Sequence, residues 1–257
     1  MQEFIAADWQ SFLEKHKLAS FDALWDKEIP WFEEPNVGRS KDGWSGVCLL
    51  EIDDRKIFLK KQENFYTYSL RHPLGITVAQ KEFANIESFN ARKIPCMKTV
   101  YFGIRKSKGK LQAMIATEAL EAYIAFEDVI ALWQKNTFTL KHRRLLIAAV
   151  ADLLSDAHSK GLMHNSLYPK HIFISEEFAR KAGTGTQPLC RFIDMEKAKP
   201  AKQHSKKQLR DLETLHRRSS YWSRSDRLYF LLCYLGKNEI DHEVRLFIKK
   251  LKGIAKK

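Results

Sequence analysis

The sequence predicts an α+β fold in two lobes, a β-rich N-terminal lobe over residues 1–118 and a mainly helical C-terminal lobe over residues 119–257. Three observations predict it. Four apolar β-type runs fall in two closely spaced pairs before residue 120. One amphipathic helix lies between the pairs, and beyond residue 120 the pattern turns helical. At 257 residues, with 44% hydrophobic and 29% charged residues, the chain suits one large domain or two small lobes with a proper core.

Taken in order, residues 7–18 (ADWQSFLEKHKL) and 20–27 (SFDALWDK) read as short helices, the second with Ser20 as N-cap. A Gly-punctuated turn, PNVGRSKDGWSGV, leads into VCLLEI (47–52), and the polar DDRK separates this run from IFLKKQ (57–62), so the two read as a hairpin. HPLG (72–75) is expected to break the chain before a helix over residues 78–93. KTVYFGIR (98–105) and LQAMIATEAL (111–120) are the second β pair. RLLIAAVADLLSDAHSKGL (144–162) is apolar on most of its circumference and reads as a central buried helix. A short loop, the strand HIFIS (171–175), a hairpin tip GTGTQP (183–188), a strand LCRFID (189–194) and further helices follow.

No apolar run approaches the length of a membrane span, and the charged start MQEFIAADWQ is not expected to be a signal peptide. Cys48, Cys96, Cys190 and Cys233 form no CxxC pair, which predicts buried thiols in a reduced, cytoplasmic setting and no zinc site. Forty-four Lys and Arg against 31 Asp and Glu give +13, with clusters at 197–227 and 246–257. Such clusters suit a polyanion: nucleic acid, an anionic membrane surface or a phosphorylated glycolipid. No helix-turn-helix, zinc-finger or RRM signature supports nucleic acid, so none is expected.

The chemistry sits in a few residues. Ala79, Glu82, Ile86 and Phe89 share one helix face, and a carboxylate in an apolar stripe requires a cation or must neutralise. Lys60, with Lys61 beside it in the preceding strand, supplies one. Gly43 and Gly46 permit close backbone approach to phosphate and Ser45 can donate to it, although neither GxGxxG nor a P-loop pattern occurs. In the later half, HNSLYPKHIFIS is followed, 28 residues after Ser166, by the strand-end Asp194 of RFIDMEKAK. A buried helix, a His-initiated loop and a strand ending in a lone Asp form a layout that sets a hard oxygen ligand for Mg²⁺ beside a nucleotide. Glu196 offers a second carboxylate. This order of elements is that of a bilobal protein-kinase-like fold, in which Glu118 to Leu120 would supply backbone groups to adenine.

Four stretches, FDALWDKEIPWFEEPNVGRSKDGWSGV, KKQENFYTYSLRHPLGITVAQKEF, HNSLYPKHIFIS with FIDMEKAK, and RDLETLHRRS, resemble the lipopolysaccharide core kinases of the Kdo/WaaP group, and within it the InaA-type proteins. The resemblance implies ATP and Mg²⁺ as cofactors and phosphorylation of an inner-core sugar, a heptose or Kdo, of lipopolysaccharide or its precursor. It implies work at the cytoplasmic face of the inner membrane, and the charge of the basic C-terminal region is expected to face anionic lipid. It makes Lys60 the phosphate-binding Lys, Glu82 its helix partner and Asp194 the metal-binding Asp. Asp211, only 17 residues after Asp194, would brace the loop from a buried helix and leaves no room for a long activation segment.

Two departures stand out. The loop position where active heptose kinases keep an Asp is Ser166, whose hydroxyl is no base at neutral pH without activation. His171 occupies the slot of a metal-binding Asn, where it can meet metal, phosphate or water. Glu196, His164 or a group on the acceptor are the candidates to replace the missing base. The alternative expectation is a pseudokinase, a nucleotide- or partner-binding module in envelope biogenesis or stress response.

Overall fold

The structure is a computed structural model and describes residues 2–36, 43–69, 72–133, 139–181 and 189–255. The chain divides into two compact units, Met1–Glu87 with Met97–Ala119, and Ser88–Cys96 with Leu120–Lys257.

The first unit contains β1 (Gln2–Ile5), α1 (Ala7–Lys15), α2 (Phe21–Trp25), β2 (Trp31–Asn36), β3 (Trp44–Ile52), β4 (Arg55–Glu63), β5 (Tyr66–Ser69), β6 (His72–Thr77), most of α3 (Val78–Ala91), β7 (Thr99–Ser107) and β8 (Lys110–Glu118). Six strands form an antiparallel sheet in the order β1-β7-β8-β4-β3-β2. The expected hairpin is the β3–β4 pair, in continuous register from Trp44↔Glu63 to Ile52↔Arg55. Side chains alternate across a strand, so Cys48, Leu50 and Ile52 of β3 join Ile57 and Leu59 of β4 on one face. There they pack with Trp9, Leu13, Phe21 and Leu24 of α1 and α2. On the opposite face Phe102 stacks on Phe83 of α3, centroids 4.3 Å apart.

Three local expectations are corrected. The helices expected over 7–18 and 78–93 stop at Lys15 and Ala91. Lys17 (φ 58) and Lys93 (φ 54) are left-handed, and Leu18 and Ile94 donate back to the carbonyls of Leu13 and Phe89 (2.8 and 3.0 Å), closing each helix in a Schellman turn. HPLG is not a break but part of β6, which among the described residues pairs only with β5. A two-stranded ribbon tolerates Pro73, which has no N–H to donate, and Gly75 (φ 83) leaves room for the Tyr68 ring, which a Cβ there would meet at 2.8 Å. The tip expected over 183–188 lies outside the described residues.

The second unit adds β9 (Tyr123–Ala125), α4 (Phe126–Trp133), α5 (Leu140–Ser159), β10 (Leu162–Met163), β11 (Ile172–Ser175), α6 (Glu176–Lys181), β12 (Cys190–Phe192), β13 (Lys199–Pro200), α7 (Lys206–Arg218), α8 (Arg224–Leu235) and α9 (His242–Ala255). α5 is the buried central helix, capped by Thr139 and inserting Leu146, Ile147, Val150, Ala151, Leu154 and Ala157 into the core. Ser155 donates to the Tyr234 carbonyl (2.9 Å) and Arg143 pairs with Asp226 (2.5 Å), fastening α5 to α8. α8 opens on a capping box of Ser223 and Asp226 and closes on left-handed Gly236. Short sheets, β12-β11-β9 and β10-β13, carry the loop between α5 and β11. Among the described residues no helix is long and apolar enough to cross a membrane, and all four cysteines are free thiols.

Candidate functional site

In the first unit the alternation along β4 separates two adjacent lysines. Lys61 points with Leu59 toward α1 and α2, where its ammonium donates to the carbonyls of Trp25 (2.7 Å) and Lys27 (3.1 Å). Burial lowers its pKa, opposed by the charges of Cys48 and Asp26. Lys60 points the other way, and its Nζ lies 2.5 Å from Oε2 of Glu82. Glu82 is 1% exposed on the same buried face of α3 as Ala79 and Ile86, and the Lys60 side chain is 22% exposed, so the ammonium keeps a route to solvent while its partner has none.

Gln62, two residues beyond Lys60, is buried and was missed in the sequence. It donates to Ser45 Oγ (3.1 Å) and accepts from the Ala79 N–H (2.8 Å), tying β3 to the first turn of α3. Ser45 thereby accepts one hydrogen bond and keeps its own proton to donate. Gly43 is buried at the start of β3, and residues 37–42 of the Gly-rich turn lie outside the described residues. At Gly46 the close approach is made by Trp31, whose ring a Cβ would meet at 2.7 Å, so packing of β2 explains this glycine. The Glu118 N–H donates to Lys98 O (3.0 Å), and the Leu120 carbonyl accepts from Tyr123 N (3.1 Å).

In the second unit the loop from His164 to His171 hangs on Asp211 of α7. Asp211 is 1% exposed; its Oδ2 accepts from the His164 N–H (2.7 Å) and its Oδ1 from the Asn165 N–H (2.8 Å). Oδ2 also lies 3.4 Å from Nε2 of His158, whose Nδ1 meets the Tyr234 hydroxyl at 2.8 Å. Burial and the Asp211 charge push the Tyr234 pKa up, which keeps that hydroxyl protonated. Asn165 is left-handed (φ 61), a conformation Asn tolerates better than most residues, and this was the one local signal for the bend.

The loop in turn clamps the residue before Asp194. The Ile193 N–H donates to the His171 carbonyl (3.0 Å), and the Ile193 carbonyl accepts from Nε2 of His164 (2.8 Å). The remaining nitrogen of His164, Nδ1, is buried without a partner among the described residues. His164 therefore positions the Asp194 peptide and presents no nitrogen to an acceptor. Asp194 is itself left-handed (φ 55, ψ 63) and opens the turn Met195–Lys197 that contains Glu196.

His171 Nδ1 lies 2.8 Å from the Ser166 carbonyl, which can only accept, so Nδ1 carries the proton. Nε2 lies 3.4 Å from Oδ2 of Asp194. Burial lowers the His171 pKa, outweighing the Ser166 hydrogen bond and the Asp194 charge, so the ring is neutral at pH 7. A neutral ring with its proton on Nδ1 turns a lone pair toward the carboxylate. The pair can share a cation. Ser166 is 7% exposed, and the loop uses its backbone oxygen. Among the described residues no three His, Cys, Asp or Glu side chains converge into a metal cage, so Glu196 does not complete a triad with Asp194 and His171.

The model of the lipopolysaccharide kinase (Kdo/WaaP) family matches residues 22–234 of this sequence. The chain belongs to that family. The match includes Lys60, Glu82, the His164–His171 loop, Asp194 and Asp211. Among family relatives, protein InaA of Escherichia coli (strain K12) is 28% identical over 183 residues, 71% of this chain and 80% of InaA. The lipopolysaccharide core heptose(I) kinase WaaP of the same strain is 31% identical over 111 residues, 43% of this chain and 41% of WaaP. The solved structure of WaaP in complex with acyl carrier protein superposes with a TM-score of 0.70 at 21% identity, covering 99% of this chain and 95% of that one. This likeness shows the fold, which is the α+β, kinase-like fold expected from the sequence.

Proposed function

We propose that the chain is an ATP-dependent phosphotransferase acting on an inner-core sugar, heptose or Kdo, of lipopolysaccharide. The observation that carries this reading is the neutral His171 imidazole facing Asp194 at 3.4 Å, two electron-pair donors that gain from a cation between them. Lys60, paired with Glu82, is the group for the ATP phosphates, and Ser45 offers a hydroxyl proton to them. Asp194 and His171 would hold Mg²⁺, which commonly takes one or two protein ligands and completes its shell with phosphate and water. Bound Mg²⁺ supplies neutralisation of charge on the transferring phosphoryl group. Asp211 and His164 hold the loop and the Asp194 peptide in place.

Ser166 limits the rate in this reading without stopping it. Phosphoryl transfer is largely dissociative and depends on positioning and charge stabilisation, and a general base contributes only about 10²–10⁴-fold. The membrane-facing side of the proposal rests on basic residues. Lys202, Lys206 and Lys207 line a hollow at the start of α7, and Lys249, Lys250 and Lys252 lie on α9. Both suit the anionic cytoplasmic face of the inner membrane.

Labelled phosphate from ATP, supplied with Mg²⁺ and purified core oligosaccharide, tests the reading. Wild type is expected to label the sugar and Asp194→Ala to lose transfer; equal transfer by the variant would sink this metal site. Ser166 favours one other reading, a pseudokinase that binds nucleotide or a partner without turnover. ATP with Mg²⁺ that gives no thermal stabilisation would favour that module. A rate gain of about 10²-fold or more in Ser166→Asp would instead reveal a poised site short of a base.

A further inference from the structure

α7 meets the catalytic loop twice. Asp211 holds the loop by its backbone, and two turns later the last residue of the helix, Arg218, brings its guanidinium over the Tyr168 ring, 5.2 Å from the centroid. Tyr168 sets its ring edge-on to His171, with centroids 5.3 Å apart. Arg218 is thus one aromatic ring away from the His171–Asp194 pair.

Three other arginines nearby are committed. Arg217 pairs with Glu213 (2.9 Å), Arg143 with Asp226 (2.5 Å), and Arg227 donates to the carbonyls of His216 and Ser219. Arg218 is exposed and has no carboxylate partner among the described residues. A helix C-terminus favours a basic residue, but that alone does not account for a guanidinium laid across a ring of the loop. A guanidinium over a ring has five N–H donors, a planar fork matched to carboxylate or phosphate, and no carboxylate among the described residues takes them here.

We propose that Arg218 is a specificity-determining residue that binds a negative group of the acceptor, a carboxylate or a phosphate beside the sugar that receives the phosphoryl group. Tyr168 is its positioning residue. The inference rests on the phosphotransferase reading above. Within this unit the Tyr168 ring meets His171 on one side and Arg218 on the other, so the anion assigned to Arg218 belongs to the acceptor and not to phosphates at the His171–Asp194 pair.

The test is calorimetric binding of deacylated lipopolysaccharide core oligosaccharide to the full chain, with transfer kinetics in parallel. Arg218→Ala is expected to weaken oligosaccharide binding, and to raise the acceptor KM, by about tenfold or more, the worth of one charge-assisted contact. The KM for ATP and the kcat stay within about twofold, because a ground-state contact to the acceptor is lost. Arg218→Lys keeps the charge without the fork and falls between. Tyr168→Leu reproduces part of the loss in oligosaccharide binding. Carboxyl-reduced and dephosphorylated oligosaccharides identify the anion, because the gap between wild type and Arg218→Ala closes on the one that lacks it. Binding indifferent to Arg218, or a gap that persists when both groups are removed, overturns the proposal alone. Wild-type protein that binds no oligosaccharide overturns it together with the phosphotransferase reading.

Discussion

Nε2 of His171 stands 3.4 Å from Oδ2 of Asp194, while Nδ1 of the same ring is held by the Ser166 carbonyl at 2.8 Å. The loop thereby fixes both the orientation and the tautomer of the imidazole. Ser166, the residue that departs most from an active kinase loop, takes part through its carbonyl, which any residue would provide. Because only the carbonyl is used, the side chain at this position leaves the approach of His171 to Asp194 unaffected.

Asp211 is predicted to be the residue on which the loop depends. Asp211→Ala removes a buried carboxylate and leaves the buried His164 N–H and the partly buried Asn165 N–H without their acceptor, at an expected cost of about 3 kcal/mol. Asp211→Asn keeps one oxygen and costs less. Urea unfolding of the two variants checks the ranking, and an alanine variant as stable as wild type contradicts it.

Glu82 is predicted to act through Lys60. Glu82→Ala breaks a pair whose carboxylate is buried and is expected to destabilise by about 3 kcal/mol. Glu82→Gln still offers an oxygen and folds, but it no longer holds the ammonium by charge, so ATP binding weakens by about tenfold. Nucleotide titration of the glutamine variant separates this role from a purely structural one, which leaves ATP affinity unchanged.

Stability is predicted to fall on mild acidification. Burial, aided by the Arg227 charge, lowers the His216 pKa from 6.5 to about 4, and its Nε2 is buried without a partner among the described residues. A folded pKa below the unfolded one means the unfolded chain takes up the proton first. The contribution is whole above pH 6.5 and is lost as the pH falls toward 4, up to about 3 kcal/mol in all. His171, also lowered by burial, adds to the same slope. His216→Phe keeps a ring against Trp222 and Phe230 and should flatten the slope between about pH 7 and about pH 5, read as denaturation midpoints. An unchanged slope contradicts this account.

The parts of the site that were legible in the sequence are those where burial and charge conflict. Glu82 in an apolar stripe required a cation, and the strand before it contained Lys60. Lys61 resembles Lys60 in the sequence, and only strand alternation against α1 and α2 assigns it to helix-end carbonyls. Gln62, His158 and Tyr234 act through hydrogen bonds between distant segments, which leave no local pattern. The β5–β6 ribbon was read as a break because Pro and Gly mark turns, yet a two-stranded ribbon tolerates both. β1 has four residues and depends on pairing with β7, a contact about a hundred residues away along the chain.

The most direct measurement of the central claim is calorimetric titration of ATP into wild type, Asp194→Ala and His171→Ala, with Mg²⁺ and with chelator. The account predicts that wild type binds ATP about tenfold or more tightly with Mg²⁺, that Asp194→Ala abolishes this advantage and that His171→Ala reduces it. Wild-type binding indifferent to Mg²⁺, or a full Mg²⁺ advantage in Asp194→Ala, would contradict it.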